Sequence, residues 1–160
     1  TVEKKKFKLP ANVSILGFSI PNTAHFVGKA AGLYRQQMPV PEDVQKLFHM
    51  VVCVRCRQEG CLAPLTYSEI DLEFVQDYVS YVMQISVSFP KKFEKHVVDW
   101  HKLVTKDANK YIAPITPKLA ITLIRYSVAH ARMQLRDEVT IEDLKYSMDF
   151  IEDSLGLFEY

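Results

Sequence analysis

Nowhere in this chain do apolar residues run on for the roughly 18 positions that a membrane-crossing helix requires, so no membrane is expected among its partners. The start, TVEKKKFK, carries charge with no apolar segment behind it, and neither a secretory signal nor a transit peptide is read there. The first residue is not methionine, so a fragment of a longer chain is expected. Cysteine is scarce and odd in number, three among 160 residues, which excludes a disulfide framework and favours a reducing compartment. Cys53, Cys56 and Cys61 invite a zinc reading. However, Cys53 falls inside an expected strand, where residues three apart face opposite sides, and no second pair with suitable spacing follows. Buried thiols are expected instead, and no metal. His25, His96 and His101 show no spacing for a metal or a catalytic dyad. A phosphate loop is missing too: around Gly28–Lys29 the Walker spacing finds Thr23 where a glycine is needed and Ala30 where a serine or threonine is needed.

The composition that remains is that of an ordinary globular domain, 48% hydrophobic and 24% charged, long enough to bury a real core. Net charge is only +1, but it is unevenly spread. Residues 1–66 hold nine Lys/Arg against four Asp/Glu, a net of +5, and residues 67–160 hold eleven against fifteen, a net of −4. A basic front and an acidic back are compatible with nucleic acid at one end and protein at the other. The front run of Lys4, Lys5, Lys6 and Lys8 is either a solvated terminus or a set of phosphate contacts whose binding would fall with salt.

The helical signals are concentrated in the last two thirds. Thr66 and Glu69 form a capping box stapled by Leu65 and Ile70. The helix behind it has a broad face of Ile70, Phe74, Val75, Tyr78, Tyr81, Val82 and Ile85, is expected to end near Val87, and reads as core. Pro90 opens the next helix, with Phe93, Val97, Trp100 and Val104 along one side. Thr116 as N-cap and Pro117 as first residue start a third, whose face is Ala120, Leu123, Ile124, Ser127, Ala131 and Leu135; the small members allow close approach of a neighbour. The last start signal is the fullest: Thr140 with Asp143 three residues on, Val139 and Leu144 placed as a staple, then Leu144, Met148, Ile151 and Leu155. Nearer the front, Val13–Ser19 and Phe48–Val54 read as strands, Val27–Tyr34 as a short helix or ordered loop, and Pro41–Leu47 as one or two helical turns.

On these residues a resemblance rests. LIRYSVAHARMQLRDEVTIEDL is similar to the end of the ATPase domain of the minichromosome-maintenance (MCM) replicative helicase family, where L-I-R-x-S-x-A-H-A-R leads into a D-x-V-T-x-E-D cap. LTYSEIDLEFVQDYVSYVMQISVSFPKKFEKHVVDWHKL resembles the opening of that family's lid, and LPANVSILGFSIPNTAHF resembles its sensor strand, which ends in A-A-A-N-P. The resemblance implies an α/β start, the last strands of an AAA+ P-loop-type core over residues 1–62, followed by an all-α lid over residues 63–160, mainly helical overall. The family's nucleotide-contacting positions are altered. The sensor asparagine falls on Ile20, which cannot hydrogen-bond a water or a phosphate. The arginine finger falls on Leu47, with Lys46 beside it but lacking the planar fork. The second sensor arginine falls on Lys118, which keeps a point charge. Arg125, His130 and Arg132 do agree with the family pattern and are expected to serve packing and pairing within the lid.

With the phosphate loop absent and these positions substituted, no ATP turnover is expected of this chain alone. It carries no cofactor of its own, and ATP with magnesium is conceivable only in a full-length parent. The loss of catalytic groups beside intact caps and stripes implies a divergent, catalytically inactive branch of the family. Such a branch would be nuclear and would act in meiotic recombination and double-strand-break repair through DNA and other MCM-like or recombination proteins. Two alternatives stand beside it. One is a subunit of an active heteromeric helicase whose neighbours supply the missing groups. The other is a histone-fold-like interaction module that dimerises through Leu123, Leu135 and Leu144.

Overall fold

The computed structural model describes residues 16–19, 22, 31–52 and 69–155. Its core is built by three helices, α4 (Glu94–Lys106), α5 (Lys118–Met133) and α6 (Ile141–Ser154). Three more precede them: α1 (Ala31–Gln36), α2 (Glu42–Gln45) and α3 (Glu69–Val82). Among the described residues there is no strand, and one isolated parallel bridge joins Ser88 to Glu138.

The expected strand Phe48–Val54 is not one in its described part, residues 48–52, and residues 16–19 of the earlier one are irregular as well. A strand exists only where a neighbour supplies ladder bonds. Here the backbone spends its bonds on turns instead: Leu47 N–H donates to the Val44 carbonyl at 3.0 Å and Phe48 N–H to that of Gln45 at 3.1 Å. The α/β start is therefore not seen among the described residues. Cys53, Cys56, Cys61, His25, the Gly28–Lys29 pair and the Thr66 capping box lie outside them.

Pro90, extended at φ −66° and ψ 133°, leads through a 3-10 turn (Lys91–Phe93) into α4. The three- and four-residue spacing of Phe93, Val97, Trp100 and Val104 puts all four on the buried side. Trp100 keeps its polar edge satisfied, its Nε1–H donating to Glu152 Oε1 at 2.6 Å. α5 and α6 form an antiparallel hairpin. Ser127 and Ala131, fully buried and small, let α6 lie close, and Ser127 Oγ donates to the Leu123 carbonyl at 2.9 Å rather than standing orphaned in the core. Leu123, Leu144 and Ile151 have no exposed surface. Each contributes on the order of 2 kcal/mol by leaving water.

α6 begins as its sequence requires. Thr140 Oγ1 accepts from Asp143 N–H, the Asp143 carboxylate accepts from Thr140 N–H at 2.8 Å, and Val139 and Leu144 are both buried in the staple positions. Its far end is closed by Ile112 and Ala113, whose N–H groups both donate to the Leu155 carbonyl at 3.2 Å.

α5 differs at both ends from its pattern. Pro117 is already helical at φ −57° and ψ −23° but serves as the cap residue, and Thr116 makes no side-chain cap; its carbonyl takes Leu119 N–H at 3.0 Å. At the other end the helix closes in a Schellman motif: Arg136 N–H donates to the Ala131 carbonyl at 3.0 Å and Leu135 N–H to that of Arg132 at 2.9 Å. That geometry puts Leu135 at φ 58°, past the helix end and 55% exposed, so it does not extend the buried face. A histone-like dimer through Leu123, Leu135 and Leu144 has no basis here, because Leu123 and Leu144 are consumed within the chain's own core.

The largest correction concerns α3. It ends at Val82 rather than near Val87, because Met83, Gln84 and Ile85 close a turn by donating their N–H groups to Val79, Tyr81 and Val82. Only Val82 of the described face is buried; Phe74, Val75 and Tyr81 are 70%, 52% and 61% exposed. Most of the stripe that reads as core is uncovered among the described residues. The C-terminal part of α3 is fastened by several bonds. The Tyr78 hydroxyl donates to the Met133 carbonyl, Arg132 Nε to that of Ile85 at 3.0 Å, and Ser88 exchanges backbone bonds with Asp137 and Val139.

Candidate functional site

The junction between α2 and the start of α5 gathers two of the three positions at which the family pattern places nucleotide contacts, Leu47 and Lys118, together with Lys46 beside the first. Lys118, in the first turn of α5, donates its Nζ to the carbonyls of Lys46 (3.1 Å) and Leu47 (2.9 Å), which have run out of helix at the end of α2. A lysine ammonium on two orphan carbonyls is a capping arrangement supplied from another helix. One turn along, the buried Thr122 hydroxyl reaches the His49 carbonyl at 2.9 Å and its own helix's Lys118 carbonyl at 3.0 Å, a single proton serving one or the other. Lys46 is occupied elsewhere, its Nζ 2.8 Å from Glu42 Oε1 one turn back. The hydrogen bond and charge of Lys46 hold the Glu42 carboxyl below its ordinary range. Leu47 is 69% exposed and offers only its backbone. Ile20 lies outside the described residues, as do Lys4, Lys5, Lys6 and Lys8.

A second clamp, with no signal in the sequence, sits beside it. Arg35 of α1 drives its guanidinium into the loop after α4, donating Nε to the carbonyls of Tyr111 (3.1 Å) and Ile112 (3.3 Å) and Nη2 to those of Ala108 and Tyr111. A planar five-donor fork suits such a cluster of carbonyls better than an ammonium would. All three cations at this junction, Arg35, Lys46 and Lys118, thus have acceptors inside the protein. A phosphate site needs donors aimed outward and unspent; Arg35 and Lys118 direct donors at backbone carbonyls, and Lys46 pairs with Glu42.

The densest charge cluster lies at the other end of the hairpin. Asp143 is fully buried. Its Oδ1 takes His130 Nδ1 at 2.7 Å and Arg136 Nη2, and its Oδ2 takes the Thr140 N–H and hydroxyl, each at 2.8 Å. Burial alone would raise this carboxyl's pKa, but the Thr140 amide, the His130 ring, the Thr140 hydroxyl and the Arg136 charge together outweigh burial and hold it below the ordinary value of 3.8. Sequence spacing exposes Asp143 as a capping acid but not as the common acceptor of a four-residue network. The place of His130 thirteen positions earlier, one hairpin away, is the signal that could have shown it. Arg132 pairs within the chain as expected, Arg125 stands exposed on α5, and His101 Nε2 lies 3.0 Å from the Thr116 carbonyl.

Three packed helices ending in a capped hairpin, with the hairpin's first lysine reaching back to the segment before it, are consistent with an all-α lid. Residues 73–155 match the MCM AAA-lid domain, and the chain belongs to that family. Among curated proteins, it is 34% identical over 83 residues to an uncharacterized MCM-type protein, MJECL13, of Methanocaldococcus jannaschii. That match covers 52% of this chain and 13% of the relative's length. No helix among the described residues is long and apolar enough to cross a membrane.

Proposed function

We propose that this chain is part of a divergent MCM-like ATPase domain in which nucleotide-contacting positions have passed to structural use. The observation behind this reading is the engagement of Lys118 by the Lys46 and Leu47 carbonyls. A sensor cation must be free to meet a γ-phosphate; this one fastens the preceding segment to the lid. Ile20 and Leu47 bring no polar side chain to a phosphate. On this reading residues 1–62 belong to the AAA+ core and residues 63–160 to the lid. On the same reading the chain is akin to the minichromosome-maintenance domain-containing protein of meiotic cells. The corresponding role is nuclear, in recombination and double-strand-break repair, exercised by binding DNA and other MCM-like or recombination proteins rather than by turnover.

Two measurements test it. In the full-length parent, steady-state ATP hydrolysis should be at background and insensitive to Lys118→Ala. Turnover that rises in a mixed ring and collapses with Lys118→Ala would instead establish the heteromeric helicase, for which the retained charge at Lys118 is the supporting observation. Anisotropy of a labelled single-stranded oligonucleotide should show binding that weakens with salt and is lost in a Lys4/Lys5/Lys6 triple-alanine variant. No binding at low salt would remove DNA from the reading and leave a protein-binding lid.

A further inference from the structure

Along one flank of the α5–α6 hairpin four rings stand in two stacked pairs. Tyr126 of α5 lies against Phe150 of α6 with centroids 5.3 Å apart and planes inclined by 29°. One turn away His130 lies against Tyr146 at 4.2 Å and 23°. Tyr146 is 55% exposed, and Tyr126 and Phe150 keep more than a third of their surface in water. His130 is fixed from behind by its bond to Asp143, so this ladder of rings is braced rather than loose. Glu142, Tyr146 and Phe150 fall in one row at four-residue spacing, with Asp149 and Asp153 in the row beside it, where Lys145 also stands, four residues before Asp149. Glu142, Asp149 and Asp153 are exposed and take part in no ion pair among the described residues.

We propose that this flank docks an arginine-bearing segment of a partner protein. Two chemistries select the same group. Ring faces attract a cation, and a guanidinium can lie flat on them. A carboxylate at the ladder's edge then accepts the fork's N–H groups in pairs, which an ammonium cannot match. A nucleic acid would find the same rings for its bases, but its phosphates would meet three carboxylates, Glu142, Asp149 and Asp153, against the single cation Lys145. A wholly apolar helix would bury those carboxylates without a counter-charge, which is costly.

The test uses the full chain and three fluorescein-labelled probes: a short peptide alternating arginine with leucine and serine, its lysine counterpart, and a single-stranded oligonucleotide. The arginine peptide is expected to bind, to weaken with salt, and to bind several-fold more tightly than the lysine peptide. Tyr146→Ser with Phe150→Ser should weaken it about tenfold, which corresponds to 1.4 kcal/mol. Should that pair unfold the hairpin, Asp149→Asn with Asp153→Asn, which changes only surface charge, should still weaken binding several-fold. Leu72→Ser with Val79→Ser on α3 should leave it unchanged. Equal binding of the two peptides, indifference to both hairpin variants, loss confined to the α3 variant, or displacement of the peptide by the oligonucleotide would each overturn the assignment.

Discussion

α3 and α6 are both fourteen residues long, and both read as amphipathic helices, yet they have opposite fates. α6 spends nearly all of its stripe: Leu144, Ile151 and Leu155 retain at most 1% of their surface, and Met148 packs partly buried beside them. α3 buries Val82 alone from the described part of its face. The difference is not apolar content, since α3 is the more hydrophobic of the two by sequence. It lies in what stands opposite. α6 meets Ser127 and Ala131, small residues that allow close approach, and it starts on a four-sided polar anchor at Asp143. α3 reaches the last turn of α5 through the Tyr78 hydroxyl and leaves most of its described face uncovered. An apolar face declares that a partner is wanted; it does not supply one.

The contrast can be broken most sharply at the anchor. Asp143→Ala should destabilise the lid by about 3–5 kcal/mol, because the His130 and Arg136 donors lose their buried acceptor while the cap is lost with it. Urea unfolding followed by circular dichroism measures this. The same carboxyl sets the acid limb. Its folded pKa is lowered, so its contribution is complete above the ordinary value of 3.8 and drains away as pH falls below that toward the folded value. A pH series of unfolding midpoints should therefore be flatter in this window for Asp143→Asn.

Core truncation comes next. Leu144→Ala should cost about 3 kcal/mol, against at most about 0.5 for Val79→Ala on α3, where the side chain is half exposed. Equal losses would show that α3 is packed as tightly as α6 and would erase the comparison. Lys118→Met, read by thermal melting, should cost about 1 kcal/mol, since two hydrogen bonds from a charged donor are offset by its partial exposure. The smallest effect has the opposite sign. Leu135→Gly should stabilise by about 0.5–1 kcal/mol, the penalty of a side chain at φ 58° being removed at the position where glycine is preferred. A loss instead would mean that Leu135 makes a contact worth more than its backbone strain.

How much of this the sequence discloses follows from the range of each interaction. α4, α5 and α6 are legible because their signals are local: Pro90, the spacing from Phe93 to Val104, the Thr140–Asp143 box. The lid family is legible for the same reason, since its motif is contiguous from Leu123 to Leu144. What is not legible is contact between residues some seventy positions apart. Lys118 to Leu47 and Arg35 to Tyr111 obey no period, and a lysine before an apolar face looks like any solvated lysine. The exposure of α3 was hidden for a related reason, because periodicity reports which side is apolar and is silent about what covers it.

The stitch at Ser88 has a mechanical consequence. Ser88 N–H donates to the Asp137 carbonyl at 2.8 Å and Val139 N–H to the Ser88 carbonyl at 3.0 Å, with Arg132 holding Ile85 just before. A tug on α3 is therefore shared between these few bonds, the Tyr78–Met133 bond and the buried Val82. They meet the chain at the hairpin bend, next to the cap of α6. Load arriving at α3 is delivered in good part as a shear on that bend, beside the packed core rather than through its middle.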